Sequence, residues 1–107
     1  AGGLRISDPA SDLAAAAALC SSIFDVPLPP ATLFFGEVAL SGAVRPAGQA
    51  DARIAEGNKL GFRTSVAPQP AKTKKASSIN VSDLADLVRW IKNSNVQTKS
   101  KSRPNAA

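Results

Sequence analysis

The sequence contains neither histidine nor methionine, and it contains one cysteine, Cys20. Without histidine the chain lacks the commonest protein metal ligand and the commonest general base. A single cysteine forms no intramolecular disulfide and no thiolate metal cluster. Because Cys20 lies in an alanine-rich helical pattern, we predict a small buried thiol in a reducing compartment. We predict no metal-binding residue in the chain.

Long apolar runs are also missing. No stretch approaches the about 18 consecutive apolar residues of a transmembrane helix, and no signal-peptide pattern is visible. We therefore expect a soluble intracellular protein without a membrane partner. Its compartment would be the bacterial cytoplasm or, for a eukaryotic source, an organellar stroma or matrix.

Charge is unevenly distributed along the 107 residues, whose formal net charge is +5. Residues 1–51 carry two basic and five acidic side chains, whereas residues 52–107 carry eleven basic and three acidic ones. This asymmetry suggests a polyanion as partner of the C-terminal half, and a solvated basic surface explains it equally well. The start, Ala-Gly-Gly without Met, suggests the C-terminal piece of a longer protein.

Apolar spacing and turn residues predict an α/β layered domain over residues 1–92. Asp8-Pro9 begins the first helix, whose apolar face extends to Ile23 and Phe24, and Ser82 caps the third helix. The predicted order is strand 2–7, helix 9–24, strand 32–38, strand 39–45, helix 49–60, strand 63–68, basic connection 69–78, strand 79–81 and helix 83–93. Residues 93–107 have almost no apolar content, which predicts a basic disordered tail.

Three segments together form a specific pattern. They are GGLRISDPASDLAAAAAL (2–19), GEVALSGAVRP (36–46) and KLGFRTSVAP (59–68). Their order and spacing resemble the Lon-protease-like domain, and within that group they are similar to the C-terminal domain of the RadA/Sms DNA repair proteins. The resemblance implies a Lon proteolytic-domain-like fold, of the ribosomal protein S5 domain 2-like type, truncated at its N-terminus.

The resemblance also identifies where a peptidase would carry its Ser-Lys dyad. Counting from Pro27 and Pro46 puts the serine position at Ala10 and the lysine position at Asp51. A slip of one residue would make Ser11 the candidate nucleophile. Every lysine of the chain lies at position 59 or later, and the nearby Arg53 stays protonated, so no base is available. We predict no catalytic residue.

By resemblance, the chain would be a non-catalytic scaffold domain that supports assembly into a ring, expected to be hexameric, and contacts DNA. The nucleotide-binding pattern GxxxxGK[ST] and the zinc pattern CxxC are absent, so ATP, Mg and Zn are expected only in a preceding part of the protein. One alternative is a Lon-type Ser-Lys ATP-dependent peptidase domain. Another is a degenerate copy that folds poorly.

Four cations near the hairpin and second helix are candidates for weak, non-specific contact with DNA phosphates. They are Arg45, Arg53, Lys59 and Arg63. Scattered surface charge is the competing interpretation. The carboxylate of Glu37 in the hairpin is predicted to make structural hydrogen bonds.

Overall fold

A computed structural model describes residues 8–68 and 77–102. A 3-10 turn (Pro9–Ser11) precedes helix α1 (Asp12–Phe24), and the other helices are α2 (Ala50–Lys59) and α3 (Leu84–Ser102). The strands are β1 (Thr32–Phe34), β2 (Glu37–Val38), β3 (Val44–Arg45), β4 (Thr64–Ala67) and β5 (Ser77–Asn80). The predicted strand 2–7, most of the connection 69–78 and residues 103–107 lie outside the described residues.

The central sheet is parallel, with strand order β1-β4-β5. Thr32 of β1 lies opposite Thr64 of β4, which in turn lies opposite Ser77 of β5. Strands β2 and β3 form a separate antiparallel hairpin in which Glu37 lies opposite Arg45. The predicted α/β class is confirmed, and the finer assignment to a Lon-like fold stays a prediction.

The predicted single strand over 32–38 is wrong, because it breaks at Gly36 and its two parts belong to different sheets. The peptide groups of Gly36 bind the start of α1: its N–H donates to Ala10 O at 2.9 Å, and its carbonyl accepts from Leu13 N–H at 3.0 Å. A β-carbon on Gly36 would lie 3.0 Å from Val44 Cγ1. Only glycine lets the start of α1 and the hairpin approach this closely.

Helices cover both faces of the sheet. Alternating side chains of β1 point to opposite faces, so Phe34 packs with α1 and α3 while Leu33 and Phe35 pack with α2. The larger core contains Leu13, Ala17, Phe34, Val44, Val66, Val81, Leu87 and Ile91. The smaller core contains Ala10, Phe35, Ile54 and Ala67.

The apolar face predicted for α1 is only partly buried. Leu13 and Ala17 are buried and Cys20 is half-buried, but Ile23 is 72% exposed and Phe24 is 44% exposed. The prediction for Ile23 and Phe24 was therefore wrong. Apolar spacing marks one face of a helix, but it does not tell how far the sheet extends beneath that face.

Of the two predicted helix caps, the first is confirmed and the second is wrong. Asp8 Oδ1 accepts a hydrogen bond from Ala10 N–H at 3.0 Å, which confirms Asp8 as the cap of the first helical turn. The third helix is capped by Asp83 and not by Ser82, since Asp83 Oδ1 accepts from Asp86 N–H at 2.8 Å. Asp86 Oδ2 in turn accepts from Ser82 N–H at 2.9 Å. The two carboxylates thus satisfy the free N–H groups at this helix terminus reciprocally.

Helix α3 continues to Ser102, so the predicted end of the third helix at Asn93 was wrong. The division into a domain over 1–92 and a basic tail over 93–107 stays a prediction. Val96 is the one apolar residue of the segment 94–102, which also lacks glycine and proline. Low apolar content argues against packing and does not by itself end a helix. Pro104 is the first helix-breaking residue that follows.

All three helices run antiparallel to the strands of the sheet. Helices α1 and α3 begin beside the hairpin, since Leu13 N–H donates to Gly36 O and Leu84 N–H donates to Gly42 O. Helix α2 ends where the strands begin, since the following Arg63 N–H donates to Ala31 O at 2.8 Å. We call the side where β1 and β4 end the carboxyl edge, and the side where they begin the amino edge.

Candidate nucleic-acid interface

The four candidate cations do not form one cluster. Arg45 leaves the hairpin at the carboxyl edge, whereas Lys59 and Arg63 follow at the amino edge after the ten residues of α2. A helix of that length rises about 15 Å, so the two groups lie at opposite ends of the sheet. The structure places Lys59 and Arg63 at one edge and separates Arg45 from them.

Arg53 has partners within its own chain. Its Nη1 donates to Asp8 Oδ2 at 3.3 Å and its Nε donates to Gly48 O at 3.0 Å. The guanidinium therefore joins the 3-10 turn to α2. The hydrogen bond from Ala10 N–H and the neighbouring Arg53 charge together lower the pKa of Asp8 below its usual value of 3.8. This arrangement indicates a structural role for Arg53.

A second carboxylate is stabilised at the start of α3. The hydrogen bond from Ser82 N–H, followed by that from Arg89, lowers the pKa of Asp86. A carboxyl group whose pKa is lower in the folded state stabilises the fold above its unfolded pKa, and this contribution disappears as pH falls through the folded value.

We therefore expect stability to fall on acidification below about pH 4, and the Asp8→Asn/Asp86→Asn variant should show a flatter loss in that range. Urea unfolding midpoints measured at several pH values between 2 and 6 test this expectation. Parallel profiles for the variant and the parent chain would contradict it.

The position that the resemblance gives to a serine nucleophile is packed. Ala10 is 3% exposed and contributes its methyl group to the smaller core, while the following Ser11 lines a groove of about 460 Å³ between α1 and α2. Asp51 is exposed in the first turn of α2. The lysines whose side chains are described, Lys59 and Lys92, both lie at the amino edge, whereas Ser11 lies at the carboxyl edge.

The sequence did not single out Lys92, which the structure also brings to the amino edge. Its Nζ lies 4.2 Å from the centroid of the Phe24 ring, a cation–π contact between α3 and the end of α1. Residues Ser94 and Asn95 line a small cavity with residues 27–30, just before β1. Lys99 and Lys101 follow in the last turns of α3. The direction of α3, which the sequence alone does not give, determines this placement.

Charge is therefore polarised between the two edges. Among the described side chains, the carboxyl edge combines three arginines with six carboxylates, which are Asp8, Asp12, Glu37, Asp51, Asp83 and Asp86. The amino edge combines Lys59, Arg63 and Lys92 with Asp25 and Glu56. Carboxylates near helix N-termini and cations near helix C-termini also oppose the helix dipoles favourably. Among the described side chains, net positive charge therefore lies at the amino edge.

Two features are absent from the part of the chain that the structure describes. No group of three or more histidine, cysteine, aspartate or glutamate side chains is arranged there to hold a metal ion. None of the helices there has the length and apolar character needed to cross a membrane.

The structure defines a small mixed α/β domain with a parallel sheet and a cationic amino edge. No family model matches the chain. It is 46% identical over 95 residues to DNA repair protein RadA of Brucella abortus, a match that covers 85% of this chain and 20% of the relative. It is 56% identical over 62 residues to DNA repair protein RadA of Rickettsia typhi, covering 58% of this chain and 14% of the relative.

A more divergent relative matches over a similar length. The chain is 37% identical over 94 residues to DNA repair protein RadA of Bacillus subtilis, covering 83% of this chain and 20% of the relative. The chain belongs to the RadA/Sms family, and it spans about a fifth of the length of these curated relatives.

Proposed function

We propose that the chain acts in DNA repair as a non-catalytic scaffold domain that contacts DNA. The observation that carries this proposal is its identity of 37–56% to proteins named DNA repair protein RadA from several bacteria. As part of the same proposal, the whole protein assembles as a ring of six copies in the bacterial cytoplasm or an organelle. ATP, Mg and Zn would be bound by other parts of that protein.

The absence of peptidase chemistry is part of the proposal. A Ser-Lys peptidase needs an accessible serine within hydrogen-bond reach of a lysine amine. Ala10 offers a buried methyl group, and Ser11 lies at the opposite edge from Lys59 and Lys92. The alternative of a Lon-type peptidase is therefore not favoured.

A fluorophosphonate probe tests this part of the proposal. We expect no covalent labelling of the folded chain, because neither lysine among the described side chains lies at the edge that carries Ser11. Mass spectrometry after incubation measures the outcome, with a known serine hydrolase as positive control. Stoichiometric labelling at Ser11 that disappears in Ser11→Ala would support the peptidase instead.

We further propose that DNA contact occurs at the amino edge, through Lys59 and Arg63. Both named side chains are exposed, whereas Arg53 is held by Asp8 and Gly48, and Arg45 lies at the carboxyl edge opposite Glu37. Contacts to phosphates carry no sequence information, so binding would be weak, non-specific and strongly dependent on salt.

Matched double variants test this location. Lys59→Ala/Arg63→Ala and Arg45→Ala/Arg89→Ala each remove two positive charges from exposed positions, at opposite edges. We expect the first variant to bind duplex DNA several-fold more weakly. The magnitude of its salt slope, d log K/d log[salt], should decrease by about 2, since each phosphate contact contributes about 0.9 to that magnitude. The second variant should keep the slope of the parent chain.

Fluorescence anisotropy with a duplex of mixed sequence, at low and moderate salt, measures both quantities. Equal losses in the two variants would show that net charge alone matters and would overturn the proposed location. Unchanged binding in Lys59→Ala/Arg63→Ala would do the same.

A further inference from the structure

The described cations differ in the kind of partner that holds them. Arg53 and Arg89 each bind a carboxylate at the carboxyl edge. Lys92 instead lies over the ring of Phe24, with its Nζ 4.2 Å from the ring centroid. A carboxylate neutralises the cation that it binds, whereas an aromatic ring orients an ammonium group and leaves its positive charge in place. Lys92 is therefore a held cation whose charge is not cancelled by its partner.

The contact lies where α1 ends. Phe24 is the last residue of α1, and the last turn of that helix contains no basic residue of its own. Lys92, from the third turn of α3, supplies the cation that favours a helix C-terminus. Asp25 follows Phe24 and is exposed, but among the described side chains no carboxylate forms an ion pair with Lys92. The ring and the helix dipole thus hold Lys92 at the amino edge.

The ammonium group keeps donors for a second partner. It has three N–H groups, and the ring lies on one side of it only. In the described part of the chain Lys92 is exposed and Phe24 is 44% exposed. Lysine is among the side chains that lose most rotamer freedom when they are fixed, and the ring already restricts this one. A ligand oxygen that binds Lys92 would therefore meet a preorganised cation.

Lys92 extends the positive charge of the amino edge to the second face of the sheet. Lys59 and Arg63 follow α2, which packs with the smaller core, whereas α3 packs with the larger core on the other face. Helices on opposite faces of a sheet lie about 20 Å apart, since each has a diameter of about 10 Å and the sheet lies between them. Duplex DNA carries one phosphate charge per about 1.7 Å of its axis, so about 12 phosphates fall within that span. One duplex across the amino edge can reach all three cations.

We propose that Lys92 is a third phosphate-contacting residue of this domain, and that Phe24 is a positioning residue that holds the ammonium group of Lys92 toward the DNA. This inference rests on the proposed DNA contact at the amino edge and adds to it a cation from the other face of the sheet. The ligand is the phosphate backbone of a duplex, so the contact is independent of base sequence. Phe24 acts through Lys92.

Three single variants separate the charge of Lys92 from its position. Fluorescence anisotropy with a duplex of mixed sequence measures affinity and salt slope. Lys92→Met keeps an unbranched side chain on the ring but removes the charge, so the magnitude of the salt slope should decrease by about 0.9. Phe24→Leu keeps the charge and removes the ring, so affinity at low salt should fall about two- to fivefold, the strength of an exposed cation–π contact. Phe24→Trp keeps an aromatic face and should bind as the parent chain does.

A double-mutant cycle tests whether Phe24 acts through Lys92. In the Lys92→Met background, Phe24→Leu should change affinity no further, because the ring has no ammonium group left to hold. Lys59→Ala provides the matched background, since it removes a lysine of the same edge on the other face of the sheet. There Phe24→Leu should keep its full effect. Equal effects of Phe24→Leu in the two backgrounds would overturn the positioning role.

NMR spectroscopy measures the contact itself, without DNA. The methylene protons next to the Lys92 ammonium group lie near the face of the ring, so their resonances should be shifted upfield in the parent chain. Phe24→Trp should retain an upfield shift, and Phe24→Leu should return these resonances to the usual lysine position. Usual lysine resonances in the parent chain would show that the ring does not hold Lys92 in solution, which contradicts the inference.

The outcomes separate this inference from the proposed function. If the parent chain binds duplex DNA and Lys92→Met binds equally well with the same salt slope, Lys92 is not a contact and the site at Lys59 and Arg63 stands. Tighter binding by Phe24→Leu would mean that the ring holds Lys92 away from the phosphates, and the positioning role is then wrong. If the parent chain shows no salt-dependent binding, the proposed DNA contact and this inference are both refuted. Thermal melts of each variant confirm folding.

Discussion

Replacing Leu87 by alanine is expected to lower the free energy of unfolding by about 2–5 kcal/mol. Leu87 is 0% exposed and lies in the larger core, between α3 and the face of the sheet that carries Phe34 and Val66. Truncation removes buried apolar surface and leaves a cavity that the surrounding side chains fill only in part. Since domains of this size are stabilised by about 5–15 kcal/mol, the loss is a large fraction of the total.

Urea unfolding followed by circular dichroism measures this effect, with Leu60→Ala as control. Leu60 is exposed, so its truncation should change stability by less than about 0.5 kcal/mol. Equal stability of the two variants would mean that α3 does not pack on the sheet. A parent chain without a cooperative transition would instead favour the degenerate, poorly folding copy.

The second large effect is expected at Gly36, where alanine should destabilise the fold by about 1–3 kcal/mol through overpacking. The added β-carbon would lie 3.0 Å from Val44 Cγ1 and 3.2 Å from Pro68 Cδ. A short branched side chain and a proline ring have little freedom to move away. The hydrogen bonds that join Gly36 to Ala10 and Leu13 would lengthen as the backbone shifts.

Gly48→Ala is the control for this prediction, because a β-carbon at Gly48 would meet no atom within 4 Å. Its free energy of unfolding should stay within about 0.5 kcal/mol of that of the parent chain. If Gly36→Ala is as stable as Gly48→Ala, the close approach between the hairpin and the start of α1 is not present in solution.

Local patterns in the sequence predicted the elements whose causes are local. The spacing of Ala50, Ile54 and Gly57 predicted α2 and its buried face, and Asp8-Pro9 predicted the first helical turn. The break at Gly36 could not be predicted in this way, because it depends on Ala10 and Val44, which are distant in sequence. A run such as TLFFGEV has the same apolar pattern with or without such a break.

In the candidate interface too, the sequence predicted what depends on local residues and missed what depends on tertiary packing. Sequence identified Lys59 and Arg63 as cations near the second helix, but it grouped them with Arg45, which lies at the other end of α2. Lys92 was missed because its place depends on the packing of α3 against the end of α1. Charge content can be counted from a sequence, whereas the edge on which a charge lies depends on the direction of each helix.

The described side chains make this part of the chain an electric dipole with its positive pole at the amino edge. Each helix terminus contributes roughly half an elementary charge, so the three helices give a difference of about 3 charges between the edges, with the positive end at the carboxyl edge. The described side chains give the larger difference in the opposite sense, from a net −3 at the carboxyl edge to a net +1 at the amino edge, and therefore set the direction. Such a dipole experiences a torque in the field of a polyanion and turns before contact. Reversing charges at the amino edge should therefore slow association with DNA more than it speeds dissociation.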